Sequence, residues 1–228
     1  LPVAEYEKVA SEALGAPVKI RSARMWLLSG LQVRFERVSV GEGVKIAEVR
    51  AVPEFGSLLG DDRAFSRVEL DGLVMQQAAL SGALSGAVQG RRLRIARVVA
   101  DKAKLEGPIA LPAVTFDAAV GRNGKVLSVR LSGEGVSGTL TPKGSAVEFD
   151  VTLGTYAVPF LDKMSIAEFG ARGIADGRGM VLSAFDGRLY NGTVVGNARI
   201  QWGPQWSVQG EVQGRAMNAA VFAPQLVS

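Results

Sequence analysis

Few residues of this chain could do chemistry, and their types limit what that chemistry could be. Among 228 residues there is neither cysteine nor histidine. Disulfides, thiolate nucleophiles, the usual zinc sites and every catalytic triad that needs an imidazole are thereby excluded. What remains is a set of carboxylates, Asp61-Asp62, Asp117, Asp150, Asp162 and Asp186. None has a partner at a spacing that fixes an acid and a base for hydrolysis, and Asp61-Asp62 beside Gly60 reads as a turn. No enzymatic activity is expected. "GEGVSG", Gly133 to Gly138, matches the glycine fingerprint of dinucleotide-binding loops and follows a strand-like run. The next residues, "TLTPKG", cannot open the helix whose N-terminus would hold a pyrophosphate, so these glycines read as a bend between strands. "RRLRIAR", Arg91 to Arg97, is the dense basic cluster. It reads as a solvated strand face or a charged sheet edge, with anionic lipid head groups as the functional alternative. No aromatic side chain interleaves with these arginines and the net charge is only +4, so nucleic acid is not an expected partner. Asn191-Gly192-Thr193 fits the glycosylation pattern, which is common and has no support from its surroundings.

The elements that must position these residues are mostly strands. Pro2 to Leu14 reads as a helix within an N-terminal segment 1–15: Pro2 suits the first turn, Glu5 and Glu7 complement the N-terminus, and Gly15 followed by Pro17 stops it. Its apolar stripe is Val3, Tyr6, Val9, Ala10, Ala13 and Leu14, so the helix must dock on something. From Val18 the period becomes two. Leu31, Val33 and Phe35 alternate with polar residues, as do Leu127, Val129 and Leu131, and Val147, Phe149, Val151 and Leu153. Turn signals stand between such runs at Gly41-Glu42-Gly43, Asp71-Gly72, Arg122-Asn123-Gly124, Pro142-Lys143-Gly144, Asp176-Gly177 and Asp186-Gly187. Short helical turns are expected around Pro53 to Leu59 and from Ala219. The pattern predicts a mainly β fold of roughly a dozen antiparallel strands, with N-terminal strands over 18–75 and a C-terminal hairpin region over 185–218. With 47% hydrophobic and 21% charged residues and no low-complexity linker, residues 1–228 read as a single domain. No run of about eighteen apolar residues could span a bilayer as a helix.

The hairpin "LYNGTVVGNARIQWGPQWSVQGEVQG", residues 189 to 214, poses a particular question. One face carries Val194, Gly196, Ala198, Ile200 and Trp202, then in phase Trp206, Val208, Gly210 and Val212; the other is polar. A packed core would want leucine where this dry face has glycine and alanine. Either the backbones approach closely in a filled sandwich, or a curved sheet keeps its concave side hollow for an apolar ligand. Gly210→Leu would be tolerated in the hollow case and would overpack the filled one.

The two ends of the chain together resemble the AsmA-like family of bacterial envelope proteins. "YEKVASEALGAPVKIRSARM" (Tyr6 to Met25) and "LQVRFERVSVGEGVKIAEVRAVPEFGSLLGDDRAFSRVELDGL" (Leu31 to Leu73) are similar to that family's opening helix and the strands after it. "FDGRLYNGTVVGNARI" (Phe185 to Ile200) and "WSVQGEVQGRAMNAAVF" (Trp206 to Phe222) resemble its C-terminal region, while Leu80 to Ala184 matches in style only. The motifs are hydrophobic alternation punctuated by glycine, and their order along the chain carries the likeness. The resemblance implies an elongated, curled antiparallel sheet of the groove kind found in TamB-type and chorein-type bridge proteins. It implies a periplasmic location, a membrane anchor upstream of Leu1 in the inner membrane of a Gram-negative bacterium, and lipid as the cargo for outer-membrane biogenesis. It brings no catalytic residue, metal or cofactor.

On that basis the lipid-binding groove wall is expected from Phe35, Phe116, Val129, Leu131, Phe149, Val151, Ile200, Trp202, Trp206 and Val208. The competing expectation is a filled β-domain that serves envelope assembly by presenting a sheet edge to a protein partner.

Overall fold

The period-two alternation becomes one sheet. In the computed structural model the described residues are 2–26, 31–54, 63–85, 93–107, 111–158, 164–202 and 207–216. They form helix α1 (Val3–Leu14) and strands β1 (Val18–Trp26), β2 (Gln32–Val40), β3 (Val44–Pro53), β4 (Arg63–Asp71) and β5 (Val74–Gln76). Helix α2 (Gln77–Ser85) leads to β6 (Leu93–Ile95), β7 (Arg97–Glu106), β8 (Val114–Val120), β9 (Val126–Gly133) and β10 (Val136–Lys143). The series ends with β11 (Ala146–Ala157), β12 (Ser165–Ala175), β13 (Gly179–Leu189), β14 (Gly192–Gln201) and β15 (Ser207–Arg215). The fold is thus mainly β, a curled sheet of fifteen strands with an N-terminal helix and one short helix.

Strands follow one another across the sheet except at one step, where β4 is joined to β7 and the two run parallel. The short β5 pairs with β3 and β7, and β6 pairs in parallel with β4. Parallel neighbours need a crossover, and α2 lies within it. This crossover was not legible in "QAALSGALS", whose small residues mark no apolar stripe. The helical turns expected beyond Glu54 and from Ala219 lie outside the described residues, as do Asp61-Asp62, Asp162 and Trp206.

Glycines or asparagines in the left-handed region make the turns. Gly41, Gly72, Gly124 and Gly144 have φ of 56°, 62°, 74° and 63° at the expected sites. "GEGVSG" is the β9–β10 hairpin, with Gly135 at φ 66°. Asp176 forms its turn by accepting the Arg178 and Gly179 amides on Oδ1 at 2.8 and 3.1 Å. Asp186-Gly187, expected as a turn, instead lies inside β13; the reversal comes at Tyr190-Asn191, with φ of 51° and 62°. Two consecutive left-handed residues suit a two-residue hairpin. Gly187 is needed for another reason: a side chain there would strike Ile166 of β12.

The two outer edges of the sheet differ. At β1, α1 takes up main-chain donors that would otherwise face water: Ser11 Oγ accepts from the Val18 amide at 2.9 Å and Glu7 Oε1 from the Ile20 amide at 2.7 Å. The same helix lays Tyr6 edge-on against Phe35, with ring centroids 5.1 Å apart, over the inner side of β2. At β15, by contrast, every residue is exposed. A covered edge cannot template pairing, whereas an open one can.

Replacing both acceptors, Ser11→Ala with Glu7→Ala, should lower unfolding stability by about 1–3 kcal/mol, at roughly 1 kcal/mol per hydrogen bond. Amide hydrogen exchange should speed up at Val18 and Ile20 before it does at the strand centres.

Candidate binding groove

Because one face of each strand is apolar and the sheet curls, the apolar faces converge on the concave side. A single buried cluster runs from Val18 of β1 to Val194 of β14. In the N-terminal half α1 fills the concavity. In the C-terminal half α2 packs on β10 and β11, and an open groove of about 620 Å³ remains. Phe116, Leu131, Phe149, Val151, Ile200, Trp202 and Val208 all line it. Leu140, Tyr156, Phe169, Leu182 and Phe185 complete much of the wall, and Gln77, Asp176 and Asn197 are its polar members.

Two of the ten expected wall residues stand elsewhere, and a third is not among the described residues. Phe35 is buried beneath Tyr6 of α1, which occupies the concave side where a ligand was expected. Val129 is 1% exposed, inside the packed core and off the groove surface. Trp206 lies outside the described residues. Sequence alternation marks the dry face but does not say which stretch of it a helix will cover. Phe169 and Leu182 keep the phase of their dry neighbours Ala171 and Met180 and could have been found by it; Phe185 could not, because a register shift after Leu182 changes the phase of β13, and neither could Tyr156, which sits beyond the alternating run at the end of β11.

The glycines of the dry face answer to cross-strand neighbours. One row across the sheet reads Phe116, Leu131, Gly138, Val151, Ala171, Phe185, Gly196 and Val212 in successive register pairs. The adjacent row pairs Phe149 with Gly173 and Ala198 with Gly210. A Cβ at Gly196 would lie 2.7 Å from the ring of Phe185, one at Gly173 2.9 Å from the ring of Phe149, and one at Gly138 2.9 Å from the Val151 methyl. Each glycine is therefore a seat for a large neighbour. Backbone holds all four as well, since a Cβ would meet the Glu211 carbonyl at Gly196, the Val181 carbonyl at Gly173, the Asp150 carbonyl at Gly138 and the Asn197 carbonyl at Gly210. Gly210→Leu is blocked by backbone whether or not the groove is occupied, so it cannot tell a hollow sheet from a filled one. The space in the groove comes from the curl, and the small residues provide the room in which the large ones pack.

The charged candidates lie on the convex face. Arg97 grips Asp117 with two hydrogen bonds, at 2.7 and 2.6 Å, and this guanidinium holds the Asp117 carboxyl below the usual carboxylate range. Arg94 binds Glu54 at 2.7 Å, and Asp150 faces Arg172 at 3.5 Å. Arg94 and Arg97 of the basic cluster are thus engaged within the sheet, between β4 and β8, rather than at its edge; Arg91 and Arg92 lie outside the described residues. Further along, Arg34, Glu48, Arg50, Glu69 and Arg67 form an alternating ladder across β2, β3 and β4 with contacts of 3.8, 3.2, 3.3 and 2.9 Å. Cross-strand pairs of this kind favour register and hydration over binding. Asp186 is on the same convex face, opposite Val195.

Within the groove the titratable group of note is Tyr156, stacked on Phe169 at 4.8 Å and 20°. Burial pushes its phenol above the ordinary value.

No protein-family model matches this chain, and no curated protein matches it.

A side chain at Gly196, as in Gly196→Val, should cost about 1–3 kcal/mol through overpacking against Phe185 and the β15 backbone. Gly82 of α2 has open space around its Cβ position, and Gly82→Ala should instead stabilise by about 0.5–1 kcal/mol. Thermal or urea melts of the two variants measure both. Tyr156 gives a pH signature. Its folded-state pKa is raised, so its contribution is intact below about pH 10 and is lost as pH rises through the folded value, because the unfolded chain releases its proton first. Urea midpoints should therefore fall less steeply above about pH 10 in Tyr156→Phe than in the parent.

Proposed function

We propose that this chain is the periplasmic part of an AsmA-like protein, tethered to the inner membrane through an anchor upstream of Leu1, and that its groove binds and carries envelope lipid for outer-membrane biogenesis without enzymatic chemistry. The observation that supports this most is the open apolar groove, lined by seven of the ten expected wall residues. Its roughly 620 Å³ equals the volume of about 20 water molecules at about 30 Å³ each. Water in such a lining finds few partners, and each acyl methylene that replaces it contributes about 0.8 kcal/mol of burial. Affinity then grows with chain length rather than with any one polar contact, so head-group selectivity should be weak.

Asp117 and Asp150 each face an arginine on the convex side, away from the groove. The second reading, a structural domain that binds an envelope protein, draws on the exposed edge of β15.

Native mass spectrometry of the purified chain, followed by organic extraction, tests the carrier reading. Phospholipid should co-purify or be taken up from liposomes. Val208→Asp, on the groove face and 55% exposed, should abolish uptake, whereas Val195→Asp, on the opposite face of the neighbouring strand and 38% exposed, should leave it intact. A clean apo mass with no uptake favours the protein-interaction reading.

A further inference from the structure

We propose that one rim of the sheet is a docking surface for an anionic lipid bilayer. The strand directions define two rims. β1, β3, β8, β10, β12 and β14 end at the first, and β2, β4, β7, β9, β11, β13 and β15 end at the second. Of the ten large apolar side chains left exposed among the described residues, six, Met25, Trp26, Leu127, Ile174, Val181 and Val208, lie within three residues of a strand end on the first rim. Trp26 ends β1 and Trp202 directly follows β14, so both described tryptophans are there.

The charges divide the same way. In the described connections of the first rim stand Arg122, Lys125 and Arg178, against Asp176 and Glu54, and Glu54 is already bound by Arg94. The Arg178 side chain is 93% exposed and its ion pair to Asp176 is long, at 3.9 Å. On the second rim the charged residues of the described connections are Glu42 and Glu134. Tryptophan and exposed aliphatic groups beside lysine and arginine are the combination that settles at a lipid head-group layer: the rings take the interface and the cations meet the phosphates. At the β1 tip the match is local. Met25 lies on the inner side opposite Val33, and Trp26 lies on the outer side with the Arg34 guanidinium 5.2 Å above its ring. Both faces of the sheet are apolar there, although its outer face is polar through the strand centres. The inference stands on the rim and does not need the groove to carry lipid.

Flotation with phosphatidylcholine vesicles, with and without phosphatidylglycerol, tests it. The chain should bind the anionic vesicles and lose binding as salt rises. Arg122→Glu with Lys125→Glu and Arg178→Glu should weaken binding about a hundredfold, at roughly fivefold per cation. Lys45→Glu with Lys104→Glu and Arg215→Glu, a matched charge change near the second rim, should weaken it far less. With Trp202→Phe and Trp206→Phe, the remaining Trp26 emission should shift to the blue on anionic vesicles. Equal losses in the two charge variants, or an unshifted emission, would overturn the proposal. So would a first-rim variant that loses lipid uptake by native mass spectrometry along with flotation, because the vesicle signal would then belong to the groove.

Discussion

The rest of this structure depends on one constraint: a sheet of fifteen strands with one apolar face must curl over that face or leave it in water. Sheets twist of their own accord, and irregularities in pairing sharpen the bend. Here the register shifts at several places, among them around Lys102 in β7 and Glu168 in β12, both with φ near 50°. Across β1, β2 and β3 the buried positions change parity together around Arg37, from Val33 and Phe35 to Val38 on β2 and from Ile46 to Ala51 on β3. The curl is thus built from local backbone departures, and it determines how much of the concave side is filled.

Filling is uneven, and the unevenness makes the candidate site. Helix α1 serves two ends at once, closing the β1 edge through Ser11 and Glu7 and occupying the concavity over Phe35. α2 comes from the crossover and rests on β10 and β11, its Leu80 joining the groove wall. Beyond it the inner faces of β12 to β15 curve around space. Phe185 leans on Gly196 and Phe149 on Gly173 of the next strand, so the wall can be both open and well packed.

The convex face has a different task. Alternating arginines and carboxylates bridge neighbouring strands, keeping that face wet and the register single. An exposed pair of this kind adds little stability. Its value lies in penalising a one-residue slip, which would set the charges against the apolar side.

Sequence alone determined the mainly β class, the N-terminal helix, the hairpin of β14 and β15 with its inner and outer faces, and most of the turns. These follow from period, glycine and asparagine, which act within a few residues of chain. Lack of cysteine and histidine likewise set the chemical limits directly. Only the tertiary structure decided that Phe35 lies under a helix while Phe149 faces a groove, since both sit on the same kind of alternating strand and differ only in what crosses over them. It also decided the parallel step between β4 and β7, the place of Tyr156 in the wall, and the purpose of Gly187 and Gly210. A glycine in a sequence marks that backbone or side chain comes close; what comes close is set by register across strands far apart in the chain, and register is a property of the assembled sheet.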